Sequence, residues 1–172
     1  MAFGLLVLRL LLAGIMFVHA TQKTLGWFRG PGFEKSAVAF ANLGQHPGRL
    51  MVGVAAFCEL AGGALAAIGL AAPLAAVIVA STMLVAGLAL SRAKGSVWHA
   101  GGGGEYPLVL AALALVLGFT GPGRWSVDAA ISAPWADTAN GAAVITGLVV
   151  AAVSLLGAVP PLLRRSPVKD PS

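Results

Sequence analysis

A chain of 172 residues with 58 % hydrophobic and only 10 % charged residues, and a mean hydropathy of +0.90, cannot cover a water-exposed surface, since a soluble domain carries about 25 % charged residues. The composition excludes a soluble enzyme or binding module and requires an integral membrane protein. The formal charge of +5 does not indicate nucleic acid, because the basic residues flank apolar runs instead of forming a stripe. The single cysteine, Cys58, excludes an intramolecular disulfide and a CxxC pair. Lying in an apolar run, it reads as a small buried hydrophobe.

The first predicted span covers about residues 3–21. Val18-His19-Ala20 mimics a signal-peptide cleavage site, but no charge precedes the apolar run and Arg9 sits inside it, so the span is read as retained. It ends at Gln22-Lys23, and Trp27 and Phe28 follow at a position suited to the headgroup level. The loop over 24–48 contains a Gly30-Pro31-Gly32 turn and an amphipathic segment at 33–43, too short to span. A second span over 50–71 carries Glu59 and the small-residue run Ala61-Gly62-Gly63-Ala64, which permits close helix packing. The tight Ala72-Pro73 connection makes the third span, 74–90, antiparallel to it.

The following loop, GSVWHAGGGGEYP, is not a phosphate loop, because no Gly-Lys-Ser/Thr follows the glycines. Its Glu105 opens an apolar helix, where the macrodipole favours a carboxylate. A short fourth span covers 106–120. Beyond it, Ser126 or Asp128 is placed to cap a surface helical turn. A fifth span runs over 140–163, with Pro160 and Pro161 near its end. The expected fold is therefore an all-α membrane protein, a four-helix transmembrane bundle plus a fifth C-terminal transmembrane helix. Residues 1–130 form the four-span domain, 131–163 a loop and the additional helix, and 164–172 a disordered polar tail.

Lys23, Arg29, Lys35, Arg49, Arg92, Lys94, Arg164, Arg165 and Lys169 then fall on one side of the membrane, against Arg124 and the N-terminus on the other. The positive-inside rule makes loops 24–48 and 95–105 cytoplasmic. The C-terminal tail lies with them only if the fifth span inserts.

Charge inside a bilayer costs roughly 2.5–3.5 kcal/mol per group on insertion scales unless it is paired or snorkels. On the first span, Arg9, His19 and Lys23 fall within an arc of about 80°, and Gln22 falls outside it. Lys23 and His19 can also be read as ordinary interfacial residues with their heads in water. Glu59 is expected to bridge to Arg9 or to the His19/Lys23 end. With Glu105 at the same level, this predicts two carboxylates and three basic groups in the inner half of the bundle. Such a cluster either fixes helix register or forms a proton-coupled or headgroup site. No metal-ligand spacing appears. A haem would need two facing histidines, and of His19, His46 and His99 the last two lie in loops.

At these residues the chain resembles the DoxX family of small bacterial membrane proteins. The matching pieces are Arg9-Leu10-Leu11-Leu12, His19 with Gln22-Lys23 and Gly26-Trp27-Phe28, and Glu59-Leu60 with Gly62-Gly63. They continue with Lys94-Gly95 through Trp98, Gly102 through Leu108 (including Glu105, Tyr106 and Pro107), and Gly121 through Ser126 (including Arg124) with Asp128. The resemblance implies a four-helix domain in the bacterial inner membrane, acting as a subunit or scaffold of an oxidoreductase complex in oxidative or thiol stress. Superoxide dismutase and a thiosulfate sulfurtransferase are the partners it implies, besides the bilayer and a further copy in a homo-oligomer. The alternative it implies is a quinone-reactive subunit akin to thiosulfate:quinone oxidoreductase, with quinone as its cofactor. Whether the chain is catalytic or accessory is left open. A transporter of lipids or small molecules is the third reading, weakened because the charges show no inverted repeat between spans.

Overall fold

The computed structural model describes residues 2–136 and 142–163. They form α1 (Ala2–Thr24), α2 (Gly32–Asn42), α3 (Gly48–Ile68), α4 (Ala72–Lys94), α5 (Glu105–Thr120), α6 (Val127–Ala130) and α7 (Ala142–Leu163), and no strand among the described residues. A bilayer core needs about 20 apolar residues in helix. Helices α1, α3, α4 and α7, of 21 to 23 residues, meet that length, and α5, with 16, is the shorter apolar helix that the sequence predicts. The protein is thus a multi-pass membrane protein. The third span extends beyond its expected limits, to Ala72–Lys94. The expected start of the last span at Asn140 and the polar tail at 164–172 lie outside the described residues.

Between apolar helices in lipid, dispersion and close approach replace the hydrophobic effect as the cohesive force. The small-residue run of α3 serves that approach on two sides. A Cβ on Gly62 would lie 2.9 Å from Val79 of α4, and one on Gly63 would lie 3.1 Å from Met16 of α1. The central core joins Leu12 and Met16 of α1 with Ala80 and Met83 of α4 and Leu110 and Ala114 of α5. Helix α7 packs on α4 and α5.

The two ends of the bundle are built differently. At one end, α2 lies across α3, with Ser36 and Ala37 buried and Val38 exposed. A surface ion pair of 3.0 Å between Arg49 and Glu34 joins the two helices, and Arg49 also stacks over Phe33. This end also carries the glycine-rich loop and is called the loop end below. At the other end, α3 stops at Gly69 in the left-handed region (φ 67). A Cβ there would lie 2.5 Å from Ser126 and 2.8 Å from the Arg9 guanidinium, so glycine is required by both backbone and space.

Candidate functional site

Both ends of the bundle bury a cation and a carboxylate. Away from the loop end, Arg9 is 2 % exposed and donates to the carbonyls of Pro122 (2.5 Å), Ala67 (3.1 Å) and Trp125 (2.8 Å). Ala67 lies in the last turn of α3, where carbonyls have no intrahelical donor. The other two acceptors come from the loop after α5. Asp128, fully buried, accepts from the backbone N–H groups of Ala71 and Ala72 and from the Trp135 indole, each at 2.8 Å. It therefore holds the N-terminus of α4, where the dipole favours an anion. Arg124 stacks over Trp125 at this end, 6.0 Å from the ring centroid.

This corrects one expectation and decides between the alternatives of another. Arg9 does share a stripe of α1 with Lys23, but fourteen residues separate them, about 21 Å along the axis, so Arg9 joins neither Glu59 nor the inner-half cluster. Of the two candidate caps for the surface turn, Ser126 fills that place, accepting from Ala129 N at 3.1 Å, while Asp128 caps α4 instead.

Towards the loop end, Glu59 is 1 % exposed at mid-length of α3, and Lys23 reaches down from the last turn of α1 to pair with its Oε1. Lys23 also faces the Phe40 ring of α2, 5.8 Å from its centroid. The second carboxylate oxygen, Oε2, has no partner. The His19 ring packs on Tyr106 of α5, with centroids 5.6 Å apart.

These groups border a cavity of about 450 Å³ enclosed by α1 to α5 and α7. It exists because the facing positions are small: Ala39 on α2, Ala55 on α3, Ala86 and Ala89 on α4, and Gly157 on α7. Ser36 and Gln45 also border it, 3 % and 5 % exposed, and the Ser36 hydroxyl and the Gln45 Oε1 have no hydrogen-bond partner. Nothing in the sequence marks either residue, since their burial follows only from α2 folding onto α3. Cys58, read as a buried hydrophobe, is half-buried and lines the cavity. A second groove of about 370 Å³ follows the α1–α3 seam past Phe17, Leu60 and Gly63, and Glu59 borders both spaces.

Of the residues expected to cluster, the cavity gathers His19, Lys23 and Glu59, and it adds Tyr106. Glu105 lies beside the cavity, its Oε2 buried against the glycine loop without a partner. Gln22 donates to the Phe28 carbonyl at 3.3 Å, and Trp27 and Trp98 are exposed in the loops beyond the helix ends. Among the described residues no group of His, Cys, Asp and Glu is placed to hold a metal ion.

The Lys23–Glu59 pair is neutral as a unit. The cavity thus combines apolar walls with donors and acceptors of no net charge, a lining suited to an apolar molecule with a neutral polar head. Compared with known proteins, the chain matches the family model described as DoxX over residues 4–92. No curated protein and no solved structure matches it.

Proposed function

Because that match covers more than half of the chain, the protein belongs to the DoxX family of membrane proteins, and from this premise we propose that it is the membrane subunit of a redox complex whose cavity receives the head of a lipid-soluble quinone. The observation that carries this reading is the Lys23–Glu59 pair, set with an unpartnered carboxylate oxygen in the wall of a largely apolar cavity of about 450 Å³. Cavities of about 300–1,000 Å³ with a few convergent polar groups suit small organic ligands. The residues fit such a head. Lys23 and His19 offer N–H donors to a ring oxygen, and Glu59 and Gln45 offer acceptors to a ring hydroxyl. A quinone, when bound, supplies two-electron, two-proton redox chemistry. The chain's part is to hold the ring, exclude water with the alanine-lined walls, and keep a proton-carrying group, Glu59, beside it.

In this reading the protein sits in the bacterial inner membrane with loops 24–48 and 95–105 in the cytoplasm. Its electrons come from a soluble partner docked at the basic loop end, where Arg29, Lys35, Arg92 and Lys94 lie. Superoxide dismutase and thiosulfate sulfurtransferase are the partner enzymes to look for.

Purification in mild detergent followed by mass spectrometry of co-eluting lipids and proteins tests the proposal. Quinone is expected in the wild-type preparation and strongly reduced in Glu59→Gln. A stoichiometric soluble redox enzyme with no quinone would leave a scaffold and remove the quinone site.

A further inference from the structure

The cavity has an opening that its polar groups do not guard. Its loop end is roofed by α2, under which Ser36 and Gln45 are buried. Its far wall reaches the outer surface of the bundle between α3 and α7. Val54 on α3 is 46 % exposed there, Gly157 on α7 is exposed, and Ser81 and Val85 of α4 lie half-buried among the lining residues. All four belong to helices long enough to cross a bilayer. The medium outside this mouth is therefore lipid hydrocarbon, not water.

We infer that the ligand enters sideways from the bilayer and keeps a long apolar tail in this mouth, with Gly157 setting the width. The inference rests on the quinone reading above and narrows it to a prenyl- or alkyl-chain member of that class. Three observations support it. A head without net charge is matched by the neutral Lys23–Glu59 pair. On this side the lining offers a tail apolar contacts besides the Ser81 hydroxyl and the Thr82 hydroxyl, which already donates to the Ile78 carbonyl. Gly157 sits at the exposed edge of the close α7–α4 seam beside the mouth: a Cβ there would already stand 3.1 Å from the Ser81 hydroxyl, so a large side chain finds no room in the seam and must lie across the mouth. One side of the mouth is also supplied from outside the residues that carry the family match, because α7 lies beyond residue 92. Tail selection is thus shared between α3, inside the matched residues, and α7, beyond them.

The test compares two probes on the purified full-length protein: tetramethylbenzoquinone, which has no tail, and a decyl-chain benzoquinone. Gly157→Phe is expected to weaken the decyl probe by about tenfold or more, a change of about 1.4 kcal/mol, and to leave tetramethylbenzoquinone within about twofold. Val54→Trp, a replacement at an exposed position on the opposite side of the gap, is expected to do the same and carries the test should Gly157→Phe fail to fold. Gly157→Ala serves as the control that retains both probes. Equal weakening of the two probes, or of neither, while wild type binds both would overturn the lateral mouth and leave the quinone site standing. Failure of the wild-type protein to bind either probe would overturn the quinone reading and the mouth with it.

Discussion

The two ends of the bundle contain the same ingredients in different bonding states. Around Arg9 and Asp128, two buried charges face backbone. Three carbonyls receive the guanidinium, and two N–H groups and an indole give to the carboxylate. Of their side-chain polar atoms only Arg9 Nε lacks a partner. Around Lys23 and Glu59, the charges meet each other, and Glu59 Oε2, Ser36 Oγ and Gln45 Oε1 are all unsatisfied beside a cavity. Burial is nearly equal for Arg9 and Glu59, at 2 % and 1 %, so burial does not distinguish the two ends. Spare bonding capacity does. A saturated charge rivets loops to helices, and an unsaturated one keeps an affinity for something else.

The largest effect that would sharpen this contrast is expected from Arg9→Met. It strips donors from three carbonyls and leaves Asp128 without its compensating charge, so a loss of about 3–5 kcal/mol is expected, read as a collapse in folded yield and melting temperature in detergent. Arg9→Lys should rescue little, because an ammonium cannot reproduce the planar fork that reaches three acceptors. A melting temperature close to wild type in Arg9→Met would break the comparison. Asp128→Ala comes next, at about 2–3 kcal/mol, since hydrogen bonds to a charged group contribute about 1.5–3 kcal/mol. Asp128→Asn, which keeps an acceptor for the N-terminus of α4, should recover part of that in the same melting assay. The smallest effect on stability is expected at the cavity. The double variant Lys23→Met with Glu59→Leu removes both partners of a buried pair and should change stability by about 1 kcal/mol or less, while quinone retention is lost. If it unfolds as readily as Arg9→Met, the loop-end pair is a rivet as well.

Much of this was legible in the sequence, and what was not has identifiable causes. Hydropathy fixes the spans, and the length of the segment at 33–43 marks a helix that lies across the bundle instead of spanning it. Glu59 within an apolar run requires a partner, and Lys23 at the end of α1 is within reach of it. The partners of Arg9 could not be read in the same way. They are backbone carbonyls, carried by every residue, and two of them become available only when the loop after α5 folds over α1. Helical phase placed Arg9 and Lys23 on one stripe correctly, and the fourteen residues between them, about 21 Å of helical rise, already set them at opposite ends. The cavity is harder still to read, because it arises from single small residues on four different helices, of which Ala39, Ala55, Ala86 and Gly157 are each unremarkable alone. Cys58 shows the same limit, since an apolar neighbourhood in sequence does not distinguish a packed core from the wall of a void.

The contacts of Arg9 also impose an order of assembly. Ribosomal synthesis delivers the guanidinium with the first span, and its acceptor at Ala67 arrives with α3, but Pro122 and Trp125 follow only after α5 has been made. During membrane integration the first helix therefore carries a charge whose coordination stays incomplete until the last third of the chain emerges. Closure of that coordination marks the joining of α1, α3 and the loop after α5, before α7 is made. A chain arrested before residue 121 retains a single one of these acceptors for Arg9, at Ala67.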